Sequence, residues 1–127
     1  MKCAPKFVAF FAGLFWTAFT SAAESTDLPG RYYCGDHTGY NIYLNLSDTG
    51  KYDAIWEGCL GRYGTAKGTW RATGDQIALT PKKETDMMKQ HLTRLIVIRD
   101  TNGVSLVRQE SEKDKDNPFF RFTKKSK

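Results

Sequence analysis

YYCGDHTGYNIYLNLSDTGKYDAIW, residues 32–56, is the stretch whose reading decides the fold. Tyr40, Ile42, Leu44 and Leu46 alternate with Asn41, Tyr43 and Asn45, the period of two that marks a half-buried strand. Ser47-Asp48-Thr49-Gly50 reads as a turn, Gly50 supplying the positive φ that a short hairpin needs. KYDAIW (51–56) then returns with Tyr52, Ala54 and Trp56 on one face. Two strands and a tight turn in 17 residues predict an antiparallel meander rather than a helical or βαβ fold.

The same signals continue outward. GRYYC (30–34) precedes the stretch as a strand, and TAKGTWRA (65–72) and QIALT (76–80) follow it, joined by a turn at Thr73-Gly74-Asp75. Pro81 is expected to stop the fifth strand. Residues 82–91, KKETDMMKQH, are rich in helix formers and predict one or two helical turns over one end of the sheet. LTRLIVIR (92–99) and VSLVRQ (104–109) flank Asp100-Thr101-Asn102-Gly103, the strongest hairpin signal in the chain. ESEKDKDN (110–117) reads as a solvated loop ended by Pro118, and FFRFT (119–123) as a last strand pairing back toward the first. About eight short strands in a meander either expose two edges or close on themselves. Closure leaves no edge, so the expected fold is all-β: a small antiparallel up-and-down, lipocalin-like barrel with one short helical segment near 82–91. Eight strands leave an interior that side chains fill or that holds one small ligand.

The amino-terminal segment predicts export. Lys2 and Lys6 form a basic region and FVAFFAGLFWTAF (7–19) an apolar one. Ser21-Ala22-Ala23 offers the small residues a signal peptidase needs, placing cleavage before Glu24. The apolar run is shorter than the roughly 20 residues that span a bilayer. Cys3 lies ahead of it, where a lipid-attachment cysteine would follow it. A periplasmic or secreted protein with no membrane anchor is therefore expected, with residues 1–23 removed and 24–127 as a single domain whose basic tail frays from about residue 124. The domain keeps 17 cations and 14 acids, a net charge of +3. So small an excess does not suggest nucleic-acid binding.

Cys34, Asp36, Gly39, Leu44, Leu46, Gly50 and Tyr52, together with Gly68-Thr69-Trp70, Gly74-Asp75, Ile77, Leu79 and Thr80, carry a family likeness. The stretch 29–80 resembles the amino-terminal domain of the NlpE-type envelope lipoproteins, linked to copper resistance and surface sensing. The resemblance implies a small lipocalin-like barrel. The family's second motif cysteine is His37 here, and its lipid-attachment cysteine is missing.

Candidate site residues fall into three groups. Cys34 and Cys59, an even pair in an exported chain, are expected to form a disulfide. Alternatively Cys34 and His37, with Cys59 as a further ligand, make a soft set suited to copper or zinc, and His91 with Met87 and Met88 makes a second, Met87 and His91 being four apart on a helical face. A bridge and a thiolate site exclude one another. Trp56, Trp70, Arg62 and Tyr63 are the candidates for ligand or partner binding, the last two presented by a glycine-rich loop, WEGCLGRYGT (56–65). No serine, paired-carboxylate or phosphate-loop arrangement suggests catalysis, and no cofactor is expected. The expected function is a non-catalytic binding module of the bacterial envelope for an unknown small ligand or envelope protein. Alternatives are an inhibitor or immunity protein acting on an envelope enzyme, or soft-metal binding.

Overall fold

The computed structural model describes residues 27–126; the signal expected over residues 1–23 lies outside them. The eight strands are β1 (Gly30–Gly35), β2 (Asn41–Leu46), β3 (Lys51–Gly58), β4 (Gly61–Thr73), β5 (Gln76–Glu84), β6 (Arg94–Asp100), β7 (Gly103–Arg108) and β8 (Arg121–Lys124). Each pairs antiparallel with the next, and β8 pairs with β1, so the sheet closes into an up-and-down barrel. The period-two residues of the opening stretch point inward as expected. Ile42, Leu44, Leu46, Tyr52 and Ala54 are buried with Tyr32, Cys34, Ile77, Leu79, Leu95, Leu106 and Phe122 in one continuous cluster. Aliphatic and aromatic side chains from all around the wall thus fill the middle of the barrel.

The two ends differ. One is closed by short turns at Ser47–Gly50, Gly74–Asp75 and Thr101–Asn102 (the turn end). The other carries the β1–β2 loop, the β3–β4 hairpin, the β5–β6 connection with a 3-10 turn Asp86–Met88, and the long β7–β8 connection with 3-10 turns Gln109–Asp114 and Pro118–Phe120 (the loop end).

Three expectations are corrected and a fourth is met by a single turn. Pro81 does not stop β5, which continues to Glu84. Gly68 pairs with Pro81 and Lys67 with Lys83, so Lys82 is an extra residue in a bulge, a place where a missing N–H breaks no regular ladder. Gly68 is what permits it, since a Cβ there would stand 2.1 Å from the Thr80 carbonyl oxygen. The short helical segment expected near 82–91 is present as the 3-10 turn Asp86–Met88, bracketed by left-handed backbone at Asp86 (φ 49°) and Gln90 (φ 57°). The glycine-rich stretch 56–65 is a hairpin, not a loop: Gly58 pairs with Gly61 around a two-residue turn at Cys59-Leu60, and Arg62 and Tyr63 belong to β4. The tail is tied past residue 124, because Lys124 Nζ donates to the Asp27 carbonyl and the Lys125 N–H to the Arg31 carbonyl.

Candidate functional site

At the loop end, strand pleat and turn geometry bring an aromatic chain across the barrel. Trp56 follows Tyr52 and Ala54 on the inward face of β3 and is partly buried against the core. Its ring meets Tyr40 edge-on at 5.1 Å between centroids, and Tyr40 in turn stacks on Phe119 at 4.8 Å. Tyr63 reaches Trp56 from the other side at 6.5 Å. A bulge explains that reach: Trp56 pairs with Gly64 and Glu57 with Arg62, leaving Tyr63 as the extra residue on β4. Its ring lies on the backbone of Gly58, where any side chain would collide.

His91 completes the group, its ring 4.7 Å from Trp56. It is delivered by the 3-10 turn Asp86–Met88, which sits directly on the backbone of β4. A Cβ at Gly64 would stand 2.6 Å from the Thr85 carbonyl oxygen and 2.8 Å from the Met88 nitrogen. Met88 fills the end of the core from that turn. Burial pushes His91 down to about 4, and the nearby Arg108 guanidinium pushes the same way, so the imidazole is neutral at physiological pH. Arg108 ends β7 on the inward side, bonded to Glu110 at 3.0 Å and to the Ser111 hydroxyl at 3.4 Å. Cys34 donates to the Phe119 carbonyl at 3.0 Å. Burial pushes the Cys34 thiol and the Tyr40 phenol up to about 12, Arg108 offsetting part of each rise.

Among the described residues, two polar atoms at this end are buried with no protein partner, Trp56 Nε1 and His91 Nε2; the Tyr52 hydroxyl, from the second residue of β3 beside the turn end, is a third. Tyr52 is 3% exposed, and Glu84, at the loop end of β5, adds to the burial that pushes its phenol up to about 12. A buried donor or acceptor left unpaired costs about 1–3 kcal/mol. Two of them on rings 4.7 Å apart are a pair of hydrogen-bonding positions, not a stray defect. Their chemistry is complementary: the indole N–H can only donate, while a neutral imidazole nitrogen can accept.

The remaining sequence candidates are dispersed. Trp70 lies toward the turn end, its indole N–H donating to the Ser47 carbonyl at 2.8 Å, which is a structural role. Arg62 is exposed on the outside of β4. Cys34 and Cys59 are both free thiols. Cys34 stands opposite Ile42, which stands opposite Trp56, so two strand spacings of about 4.8 Å separate it from β3. Cys59 lies further along that strand in the exposed hairpin turn, and bridging needs Cα atoms within about 7 Å. Neither soft-metal set assembles. Cys34 points inward, whereas His37, at φ 63°, stacks at 4.5 Å on the ring of Tyr33, the next residue along β1 and therefore on the opposite face. Met87 is 57% exposed while His91 turns inward, because a single 3-10 turn does not hold residues four apart on one face. Among the described residues no group of three or more His, Cys, Asp or Glu is placed to hold a metal ion. Two grooves on the outer wall, one under residues 124–126 and one beside Asp100–Ser105, are lined by neither Trp56 nor Trp70.

Sequence reading missed Tyr40, Arg108 and Phe119 as site residues. Arg108 was detectable: it continues the inward phase of Val104 and Leu106, where a charged residue has no ordinary structural use. Phe119 was not, since its place depends on how the 109–120 connection folds back over Cys34. No family model matches this chain, and no curated protein or solved structure shows significant similarity to it, so the site is read from its own chemistry.

Proposed function

We propose that this chain is an exported, non-catalytic β-barrel binding module of the cell envelope that receives its ligand at the loop end. The observation that carries this reading is the pair of unpaired buried nitrogens, Trp56 Nε1 and His91 Nε2, on rings 4.7 Å apart and flanked by Tyr40. A small neutral molecule with a hydroxyl group suits them. Its oxygen would accept from the indole N–H, its proton would go to the imidazole nitrogen, and its apolar face would lie against Tyr40 and Trp56. Burial keeps the Cys34 thiol protonated and His91 uncharged at neutral pH, which supports binding rather than nucleophilic or acid–base chemistry. The signal-like segment and the resemblance of residues 29–80 to the NlpE-type domain support the envelope assignment.

Ligand-observed and protein-observed NMR with a library of small hydroxylated fragments tests the proposal. The domain from residue 24 has two tryptophans, so Trp70, bonded to Ser47, is an internal control. Binding should move the Trp56 indole N–H signal, leave that of Trp70 in place, and be lost in Trp56→Phe. Fragments that move Trp70 alone, or that bind Trp56→Phe equally well, would overturn the assignment.

A second reading, docking of a protein partner as an inhibitor does, is favoured by one observation. Leu60, at the tip of the β3–β4 hairpin, is 92% exposed, and Met87 and Phe119 are exposed at the same end. Fragments that perturb the Leu60 and Met87 methyl groups and leave the Trp56 indole unmoved would favour it.

A further inference from the structure

The outer face of β4, β5 and β6 carries a cluster of cations that the barrel itself does not use. Lys67 on β4 stands directly opposite Lys83 on β5. Like charges in that position repel, so the pairing works against the fold. The bulge at Gly68 and Pro81 adds Lys82 beside them, and all three lysines are exposed. Four residues along β4, about 13 Å away, Arg71 stands opposite Ala78, which stands opposite Arg94 on β6. The two arginines thus flank an alanine across about 10 Å. Both are exposed.

None of these five cations belongs to an ion pair among the described residues. The arginines Arg99, Arg108 and Arg121 all do, with Asp27, Asp75, Glu110 and Asp100. The nearest acid in the register, Asp53 opposite Lys67, accepts from the Asn45 amide and forms no ion pair with the lysine. β4 has no acidic residue, and β5 has none before Glu84 at its end.

We propose that this face docks onto an anionic lipid bilayer. The cations spread over two dimensions of a convex wall rather than along a groove, so they suit a charged plane better than a threaded polymer. Only short side chains, Thr69, Thr80 and Ala78, lie between them. That leaves no ring for stacking bases, which single-stranded nucleic acid would use. Lys and Arg near a membrane surface each strengthen attachment through the negative potential of the lipids, an effect that salt screens. The face is separate from the loop-end site, so the protein can rest on a membrane with that site clear.

Sedimentation with vesicles tests this directly. The domain should partition onto an equal mixture of phosphatidylcholine and phosphatidylglycerol, ignore pure phosphatidylcholine, and release as salt is raised. Neutralising Lys67, Lys82 and Lys83 together to glutamine should lower partitioning on the order of 100-fold, about fivefold for each lysine. Arg71→Gln with Arg94→Gln, away from the bulge, should lower it about 25-fold on the same scale and guards against a local folding defect in the triple variant. Lys89, Lys113 and Lys115 changed together to glutamine remove equal charge at the loop end and should have little effect. The proposal is overturned if the wild-type domain does not bind the anionic vesicles. It is equally overturned if the control triple loses as much as the patch triple, or if the domain binds soluble polyphosphate but not vesicles.

Discussion

Each end of this barrel has an inward tryptophan, and the two ends treat it differently. Toward the turn end, the Trp70 indole donates to the Ser47 carbonyl; toward the loop end, Trp56 Nε1 has no partner among the described residues. Two buried tyrosines divide in the same way, the Tyr32 hydroxyl donating to the Leu28 carbonyl at 2.6 Å and the Tyr52 hydroxyl standing unpaired. The strands are the same and the residue types are the same. What differs for the tryptophans is the cover: short turns lay main-chain carbonyls across one opening, whereas the loop end is roofed by side chains and a 3-10 turn that leave the Trp56 and His91 nitrogens unpaired. One end is finished as structure, and the other keeps hydrogen-bonding capacity in reserve, which is where a ligand can be bound with direction.

The contrast can be broken or sharpened by treating the pairs alike. Trp70→Phe should cost about 2 kcal/mol, for lost volume and for a carbonyl deprived of its indole partner, whereas Trp56→Phe should cost about 1 kcal/mol less because no hydrogen bond is lost. Urea unfolding followed by circular dichroism, which does not depend on the missing fluorophore, compares them; equal losses would break the contrast.

His91 sharpens it through pH. Burial holds its pKa near 4 in the folded protein, below the ordinary imidazole value of 6.5, so the unfolded chain binds the proton more tightly. The favourable difference is fully present above pH 6.5 and is lost as pH falls from there toward about 4. Allowing for the part of the ring that solvent reaches, the loss is on the order of 1–2 kcal/mol. His91→Gln should flatten the pH dependence of the urea midpoint over that window, and an unchanged slope would place the ring in water rather than against Trp56.

The smallest effect is in the tyrosines. Tyr32→Phe should destabilise by about 1 kcal/mol, since it orphans the Leu28 carbonyl. Tyr52→Phe should be neutral or slightly stabilising, because it removes a hydroxyl with no partner. Thermal unfolding of the two variants side by side decides the point.

The barrel was legible because its signals are local. Alternation from Tyr40 to Leu46, the Gly50 turn and the Asp100–Gly103 hairpin each fix a strand pair within a few residues, and closure follows from having no other way to cover the edges. The places where the sequence misled are those where local preference met a neighbouring strand. Pro81 reads as a stop until Gly68 on β4 lets a bulge absorb it. The helical turn read within 82–91 is present at Asp86–Met88, its start set by β4, which claims Lys83 and Glu84 as ladder partners. Cys34 and Cys59 read as a bridge because counting cysteines says nothing about the strand lying between β1 and β3.

The site was half legible for the same reason. Trp56, Tyr63 and His91 stood out as residue types that bind, and Trp70 stood out equally. Only the fold separates Trp56 from Trp70, by giving one a carbonyl and the other an imidazole. Tyr40 and Phe119 are 79 positions apart in the chain and meet only because β8 closes against β1.

By itself, then, the sequence determined an all-β meander of eight strands, with its inward and outward faces and most of its turns, because each rests on side-chain period and backbone preference within a short window. Tertiary structure alone decided which end is open chemistry. Whether a buried indole or hydroxyl finds a partner depends on which main-chain carbonyl the far side of the barrel brings within about 3 Å, and no local pattern encodes that distance.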